Sequence, residues 1–154
     1  MIKLTELDLD DSHDVLFLYE TRRHPDVDSM LFGSPPADWE SHRRWLEAQH
    51  LKRRILFLIK CNDAPVGYCQ MSLQDHPRTE LGWVVAPSAQ RQGFGTAAVK
   101  LLLDEARRRG FAEAEVFVKA ENALAWRLYL KHGFHIVGEK DGAARIALVN
   151  DNDA

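Results

Sequence analysis

Hydrophobic and polar residues alternate along this chain with the periods of strands and of helices. Alternation or a short apolar run predicts strands at residues 2–9, 55–61, 66–73, 79–85, 113–119, 134–139 and 143–149. Helical spacing predicts helices between Asp11 and Pro25 and at residues 39–51, 93–109 and 122–131. Residues 25–36 are predicted to form a loop and residues 62–65 a turn, because both contain proline beside turn-forming residues.

The resulting order of elements, β-α-α-β-β-β-α-β-α-β-β, contains no repeat and no linker. It predicts a single α/β (α+β) domain over residues 1–154, with a core from about residue 2 to 149 and a mixed central sheet flanked by helices. Strand 79–85, helix 93–109 and strand 113–119 are expected to form a right-handed βαβ unit. Such units bind anions where the first strand ends and the helix begins.

Composition narrows the class of protein. A hydrophobic fraction of 45% and a charged fraction of 28% are typical of a globular protein, and the net charge of -3 provides no overall basic field for nucleic acid. No apolar region of a signal peptide follows Lys3, and no apolar run approaches the roughly 20 residues that span a membrane. A cytoplasmic protein without nucleic-acid or membrane partners is therefore expected. Cys61 and Cys69 are predicted to be buried thiols, and the histidines lack metal-ligand spacing, so no metal is expected.

A glycine-rich loop lies between the predicted strand 79–85 and the longest predicted helix. Gly93 and Gly95 open that helix and Arg91 precedes them, which predicts an anion site at the helix N-terminus. A P-loop would need Lys and then Ser or Thr after the second glycine, but Thr96 follows Gly95. A dinucleotide fingerprint is disfavoured by the long polar loop and by the lack of a suitably placed acidic residue.

Two motifs in this region resemble those of the GNAT superfamily of N-acetyltransferases. The first is Gln90-x-x-Gly93-x-Gly95, after a strand that ends Val85-x-Pro87. The second is Asn122-x-x-Ala125-x-x-x-Tyr129-x-x-x-Gly133-Phe134. The motifs occupy residues 84–134, and the order of elements extends the resemblance to about residues 2–149. It implies a domain with splayed central strands.

The resemblance implies acetyl-CoA as the acetyl donor. The backbone amides of residues 92–96 would bind the pyrophosphate, and the strand end at 83–85 would bind the pantetheine arm in the gap left by the splayed strands. The coenzyme site implied in this way consists of Trp83, Val84, Val85, Gln90, Arg91, Gln92, Gly93, Phe94, Gly95, Thr96, Asn122 and Tyr129.

Acetyl transfer to an amine needs a base for the ammonium proton and an acid for the departing thiolate. By resemblance, Tyr129 is the acid and Glu80 is the base, although a water chain could replace Glu80. Each also has a structural interpretation, Tyr129 as a core residue and Glu80 as a solvated carboxylate at a strand edge.

The acceptor is expected to be a small-molecule amine. The pattern His42-x-x-Trp45 resembles the sugar-nucleotide amine N-acetyltransferases, which implies an amino sugar or a nucleotide-linked amino sugar, with His42 and Trp45 at the substrate. Alternatives are a small amine, an amino acid or a protein amine. Family members that acetylate the N-termini of ribosomal proteins often have a glutamate at the position of Phe117, so the phenylalanine counts against that class of substrate. A non-catalytic acyl-CoA sensor and a homodimer through the final hairpin also stay open.

Overall fold

The computed structural model describes residues 1–28, 35–74, 76–119, 122–140 and 143–149. Its strands are β1 (Ile2–Glu6), β2 (Arg54–Cys61), β3 (Ala64–Ser72), β4 (Arg78–Val85), β5 (Glu113–Lys119), β6 (His135–Lys140) and β7 (Ala143–Val149). Its helices are α1 (Ser12–Arg23), α2 (Pro25–Asp28), α3 (Trp39–Leu51), α4 (Phe94–Arg108) and α5 (Ala123–Lys131), with a 3-10 turn at Pro87–Ala89.

The strands form a mixed sheet in the order β1-β2-β3-β4-β5-β7-β6. Side chains of successive residues in β2 point to opposite faces, so Leu56 and Leu58 pack with α1 and α3, whereas Phe57 and Ile59 pack with α4 and α5. The predicted mixed sheet between helices is therefore confirmed. It has two apolar layers, one on each face.

Strands β4 and β5 separate after a short parallel contact. They pair only where Arg78–Glu80 face Glu113–Glu115, while β4 goes on pairing with β3 as far as Val85 and β5 with β7 as far as Lys119. The carboxyl-terminal halves of β4 and β5 therefore border a gap. Backbone groups of β4 that face this gap have no β5 partner among the described strands, and a ligand can bond to them.

Several boundaries differ from the predictions. The predicted loop at 25–36 begins with the short helix α2, because Pro25 suits the first helical position; its residues 29–34 lie outside the described part. The predicted turn at 62–65 is a two-residue hairpin at Asn62 and Asp63, whose φ angles of 51° and 69° fit the twist of the strands. The first strand ends at Glu6, three residues earlier than predicted.

Two further sequence features have a structural counterpart. Gly67 lies beside a bulge between Ile59 and Lys60, and a Cβ atom at Gly67 would come within 2.2 Å of the Val84 carbonyl oxygen. Only glycine allows β3 and β4 this approach. At the other edge of the sheet, β6 exposes Ile136 and Val137; a homodimer through this hairpin stays a prediction. None of the helices described has the length and apolar character that crossing a membrane would require.

Candidate active site

The loop between β4 and α4 has a fixed backbone shape. The Gln90 side chain donates a hydrogen bond from Nε2 to the Val85 carbonyl (3.2 Å), which ties the loop to the end of β4. Arg91 and Gly93 both adopt positive φ, 67° and 83°. Gly93 is the N-cap of α4 and needs this left-handed conformation, which glycine adopts without a steric penalty.

The first turn of α4 presents unpaired backbone amides. The Ala97 N–H makes the first bond within the helix, to the Gly93 carbonyl (3.2 Å), so the N–H groups of Phe94, Gly95 and Thr96 have no acceptor in the helix. Gly93 has no side chain to cap them. Together with the helix dipole, these amides favour an anion at this end of α4.

A cavity of about 460 Å³, the first cavity, opens in front of this helix terminus. Ten of the twelve residues predicted for the coenzyme line it: Trp83, Val84, Val85, Gln90, Arg91, Gly93, Phe94, Gly95, Thr96 and Asn122. Gln92 and Tyr129 are not among its described lining residues. The structure therefore brings both sequence motifs together at one cavity.

Part of the wall of the first cavity consists of residues outside the coenzyme site predicted from the sequence. The missed residues are Asp26, Val27, Ala89, Ala125, Arg127, Leu128 and Lys131. Arg127 and Lys131 are one helical turn apart on α5, so both can face the same anion across from α4. The second motif already placed this helix beside the site, and the four-residue spacing of these basic residues was the available signal.

A second cavity of about 410 Å³ lies on the sheet face covered by α1 and α3. It shares Trp83, Val84, Asn122 and Ala125 with the first cavity, so the two cavities meet at the gap between β4 and β5. Glu80 and Tyr129 both line the second cavity. The acid and the base predicted from the sequence are thus brought to one space.

Tyr129 is 5% exposed and packs edge-on against Trp83 and Phe134. Burial, and next the neighbouring Cys69, raise the pKa of Tyr129 far above its ordinary value, and Trp83 partly opposes the rise. The Trp83 Nε1 atom is buried and makes no hydrogen bond of normal geometry among the described residues. Tyr129 therefore keeps its proton throughout the neutral pH range.

Gly95 makes room for Trp83. A Cβ atom at Gly95 would lie 2.9 Å from Cζ3 of Trp83 and 3.3 Å from Cδ2 of Leu128. Close packing against Trp83 and Leu128 thus favours glycine at this position. The indole ring in turn forms a wall between the loop and Tyr129.

Glu80 is half-buried on the same face of β4 as Gly82 and Val84. Its partner in the parallel register is Glu115, which lies 3.6 Å from Nη1 of Arg78. The carboxylate of Glu80 therefore lies where the two strands begin to separate, on the wall of the second cavity. Asn122 lines both cavities, and its Oδ1 atom caps α5 by accepting from the Ala125 N–H (3.3 Å).

His42 and Trp45 have different positions relative to the second cavity. Trp45 lines it, whereas His42 is fully buried behind Arg22 and stacks on Trp45. Nη1 of Arg22 lies 3.2 Å from Nδ1 of His42. Burial, and next the charge of Arg22, lower the pKa of His42 to about 4, so the ring is neutral and accepts a hydrogen bond from Arg22.

This buried histidine should make the stability of the fold depend on pH. The unfolded chain binds a proton at His42 below about pH 6.5, but the folded chain resists it down to about pH 4. Stability is therefore lost as the pH falls through that window, by about 2 kcal/mol between pH 7 and pH 5. Urea unfolding at both pH values should show this loss for the wild-type protein, a smaller loss for His42→Gln and the full loss for the exposed control His50→Gln. An equal loss in all three proteins would contradict the account.

The described cysteines do not form a site. Cys69 is fully buried, its pKa is raised by burial, and it lines neither cavity. Cys61 is half-buried at the end of β2. In the part of the chain that the structure describes, no three His, Cys, Asp or Glu side chains are grouped as a metal site requires.

Comparison with known proteins gives the same family as the motifs. Residues 22–134 match the family model described as Acetyltransferase (GNAT) family. The ribosomal protein bS18-alanine N-acetyltransferase of Escherichia coli is 45% identical over 51 residues, which are 33% of this chain and 34% of that enzyme. The match therefore spans about a third of that relative's length.

Solved structures share the fold at low sequence identity. The spermidine N-acetyltransferase of Vibrio cholerae, in complex with CoA and spermine, has a TM-score of 0.82 at 19% identity and covers 97% of this chain and 95% of that chain. A Salmonella typhimurium protein described as a putative acetyltransferase with acetyl-CoA has a TM-score of 0.76 at 22% identity, over 100% and 96% of the two chains. These similarities confirm the fold.

Proposed function

Because the chain belongs to the GNAT acetyltransferase family, we propose that it transfers an acetyl group from acetyl-CoA to a primary amine of a small molecule. The observation that supports this best is the meeting of two cavities at the gap between β4 and β5. The first cavity has the groups that bind a phosphorylated donor. The second has a carboxylate and a protonated tyrosine beside the gap.

The first cavity fits the chemistry of coenzyme A. The unpaired amides of Phe94, Gly95 and Thr96 suit a pyrophosphate, and the basic side chains of Arg127 and Lys131 line the same space. The unpaired strand edge of β4 at residues 83–85 suits the amide groups of a pantetheine arm. When bound, acetyl-CoA supplies an acetyl thioester.

The residues at the gap divide the proton transfers between them. Glu80, directly or through a water molecule, takes a proton from the acceptor ammonium, which has an ordinary pKa of about 10.4 and cannot attack while protonated. Tyr129 donates its hydroxyl proton to the departing sulfur, and the second proton that the nitrogen loses as the amide forms returns to Tyr129. Backbone N–H groups of β4 that border the gap are positioned to stabilise the negative oxygen of the tetrahedral intermediate.

Direct attack by the amine fits the position of the cysteines better than a covalent acetyl-enzyme. An acetylated cysteine would require a thiolate at the gap, but Cys69 is fully buried outside both cavities and burial keeps it protonated. The amine and the thioester must therefore be bound together, in a ternary complex.

An amino sugar or a nucleotide-linked amino sugar is the first choice of acceptor. Gln49 and Gln70 on the wall of the second cavity offer hydrogen bonds to the hydroxyl groups of a sugar. Trp45, whose ring packs against Arg22, lines the same wall. An amino acid or another small amine is the alternative, and a protein amine follows. Catalysis in the cytoplasm stays part of the proposal.

Initial rates test the ternary complex. Acetyl-CoA and an amine are varied together while the release of free thiol is measured. Direct transfer predicts reciprocal plots that intersect, whereas a covalent acetyl-enzyme gives parallel lines. Parallel lines would contradict the mechanism, and binding of acetyl-CoA without turnover of any amine would favour a non-catalytic sensor.

A further inference from the structure

Arg22 is a buried cation on the wall of the second cavity. Its side chain is 7% exposed and lines that cavity near the end of α1. Cζ of Arg22 lies 3.5 Å from the centre of the Trp45 ring, and Nη1 lies 3.2 Å from Nδ1 of His42. Among the residues that the structure describes, no carboxylate lies within ion-pair distance of Arg22.

The described partners of Arg22 do not neutralise its charge. His42 is neutral, and the buried Tyr68 beside Arg22 has its pKa raised by burial to about 12, so it is neutral as well. The Trp45 ring attracts the guanidinium but brings no negative charge. A buried cation is costly unless an anion pairs with it. Burial accordingly lowers the pKa of Arg22.

Another buried polar side chain on the wall of the second cavity also lacks a hydrogen-bond partner among the described residues. Gln49 is 3% exposed, and its Oε1 atom has no hydrogen-bond partner among the described residues. Arg54 also lines the cavity, but its register partner Ser72 lies at the level of Glu80 along the sheet and not at the level of Tyr68. Arg22 on α1 and Gln49 on α3 therefore form the polar subsite.

The subsite is separated from the proposed base by a distance that a substrate can span. Arg22 lies beside Tyr68, whose register partner on β4 is Val84. Glu80 precedes Val84 by four residues, which corresponds to roughly 13 Å along an extended strand. The cavity thus has a cation near Val84 and a carboxylate at Glu80, four residues apart along β4.

We propose that the acceptor amine carries an anionic group, either a carboxylate or a phosphate, and that Arg22 binds this group while the amine lies beside Glu80. The inference rests on the proposed function. The planar fork of a guanidinium matches both anions and can donate two parallel hydrogen bonds to either one. The guanidinium packs on the Trp45 ring, and its Nη1 atom bonds to Nδ1 of His42. These two contacts hold the fork in place.

The same charges disfavour a polycation. Arg22, Arg54 and Lys119 line the second cavity together with a single described carboxylate, that of Glu80. A polyamine such as the spermine bound to the Vibrio cholerae enzyme would bring several positive charges towards these side chains. The fold is shared, but the predicted class of acceptor differs.

Matched pairs of acceptors test the inference. Thiol release is measured for glucosamine phosphate against glucosamine, for a nucleoside-diphosphate amino sugar against the free amino sugar, and for α-amino acids against their amides. Spermine is the cationic probe. We expect the wild-type protein to prefer the anionic member of at least one pair by about tenfold or more in kcat/KM. The pair that shows the preference distinguishes phosphate from carboxylate.

Variants of Arg22 separate recognition from folding. In Arg22→Gln, the ratio of kcat/KM for the anionic to the neutral member should fall towards one, and Arg22→Lys should keep part of it. The control Arg43→Gln, an exposed arginine on α3, should keep the full ratio. A thermal shift by acetyl-CoA, measured on every variant, confirms a folded protein with an intact donor site.

The outcomes are distinct. A wild-type protein that acetylates neutral or cationic members as well as anionic ones, or that acetylates no anionic amine, overturns the inference. An equal loss for both members of a pair in Arg22→Gln also overturns it, because it shows a structural role. Failure of acetyl-CoA to bind the wild-type protein would instead overturn the proposed function.

Discussion

Replacing Tyr129 with phenylalanine should lower kcat by about 100-fold or more and leave the affinity for acetyl-CoA within about twofold of wild type. Tyr129 lines the second cavity, and burial raises the pKa of its hydroxyl, so the proposed acid is protonated at neutral pH. Without it, the thiolate must leave unprotonated. Phenylalanine keeps the edge-on packing against Trp83 and Phe134, so the fold and the first cavity should persist.

Steady-state kinetics and calorimetric titration with acetyl-CoA measure the two effects separately. Tyr19→Phe is a matched control, since Tyr19 is a buried tyrosine on α1 whose hydroxyl accepts from Arg23 and which lines neither cavity. Its kcat should stay near the wild-type value. An unchanged kcat in Tyr129→Phe would show that another group protonates the sulfur. In the wild-type protein, a plot of kcat against pH should also show no decrease below about pH 10 that is due to deprotonation of Tyr129.

Replacing Glu80 with glutamine should lower kcat/KM by about 100-fold at neutral pH. Glutamine has nearly the same shape, but it cannot accept the ammonium proton. The loss should shrink as the pH rises towards the acceptor's pKa of about 10.4, because more of the amine is then already neutral. A pH profile of kcat/KM for the variant and the wild-type protein measures this.

Glu113→Gln provides the control for a carboxylate near the start of the gap. Glu113 pairs with Arg78 (3.3 Å) and lines neither cavity, so its replacement should change the rate little. If Glu80→Gln retains the wild-type profile at every pH, the amine loses its proton to another group or to water. That result would remove Glu80 from the mechanism and leave the donor site untouched.

The sequence predicted the donor side better than the acceptor side. The glycines of the loop, Gly93 and Gly95, and the capping Asn122 lie within two short segments, because one βαβ unit and the next helix build that wall. The residues of the predicted acetyl-CoA site can therefore be recognised from short local motifs. The gap between β4 and β5 was implied by resemblance alone, since no local pattern shows where two strands stop pairing.

The acceptor wall depends on contacts between distant residues. Arg22, Gln49 and Tyr68 come from three elements and share no motif, so no pattern along the chain groups them. His42 and Trp45 were predicted together at the substrate, but helical spacing places one behind the wall and the other on it. Which side of α3 faces the cavity is decided by packing against β2 and β3, not by the local pattern.

Binding of acetyl-CoA is the first requirement of the proposed reaction, because the chemistry begins with the donor in the first cavity. Thermal unfolding of the wild-type protein is measured with and without acetyl-CoA, with adenosine as the control ligand. At 100 times its Kd, acetyl-CoA should raise the free energy of unfolding by about 2.7 kcal/mol, or roughly 5–10 °C in Tm. No shift at saturating acetyl-CoA would overturn the proposed function.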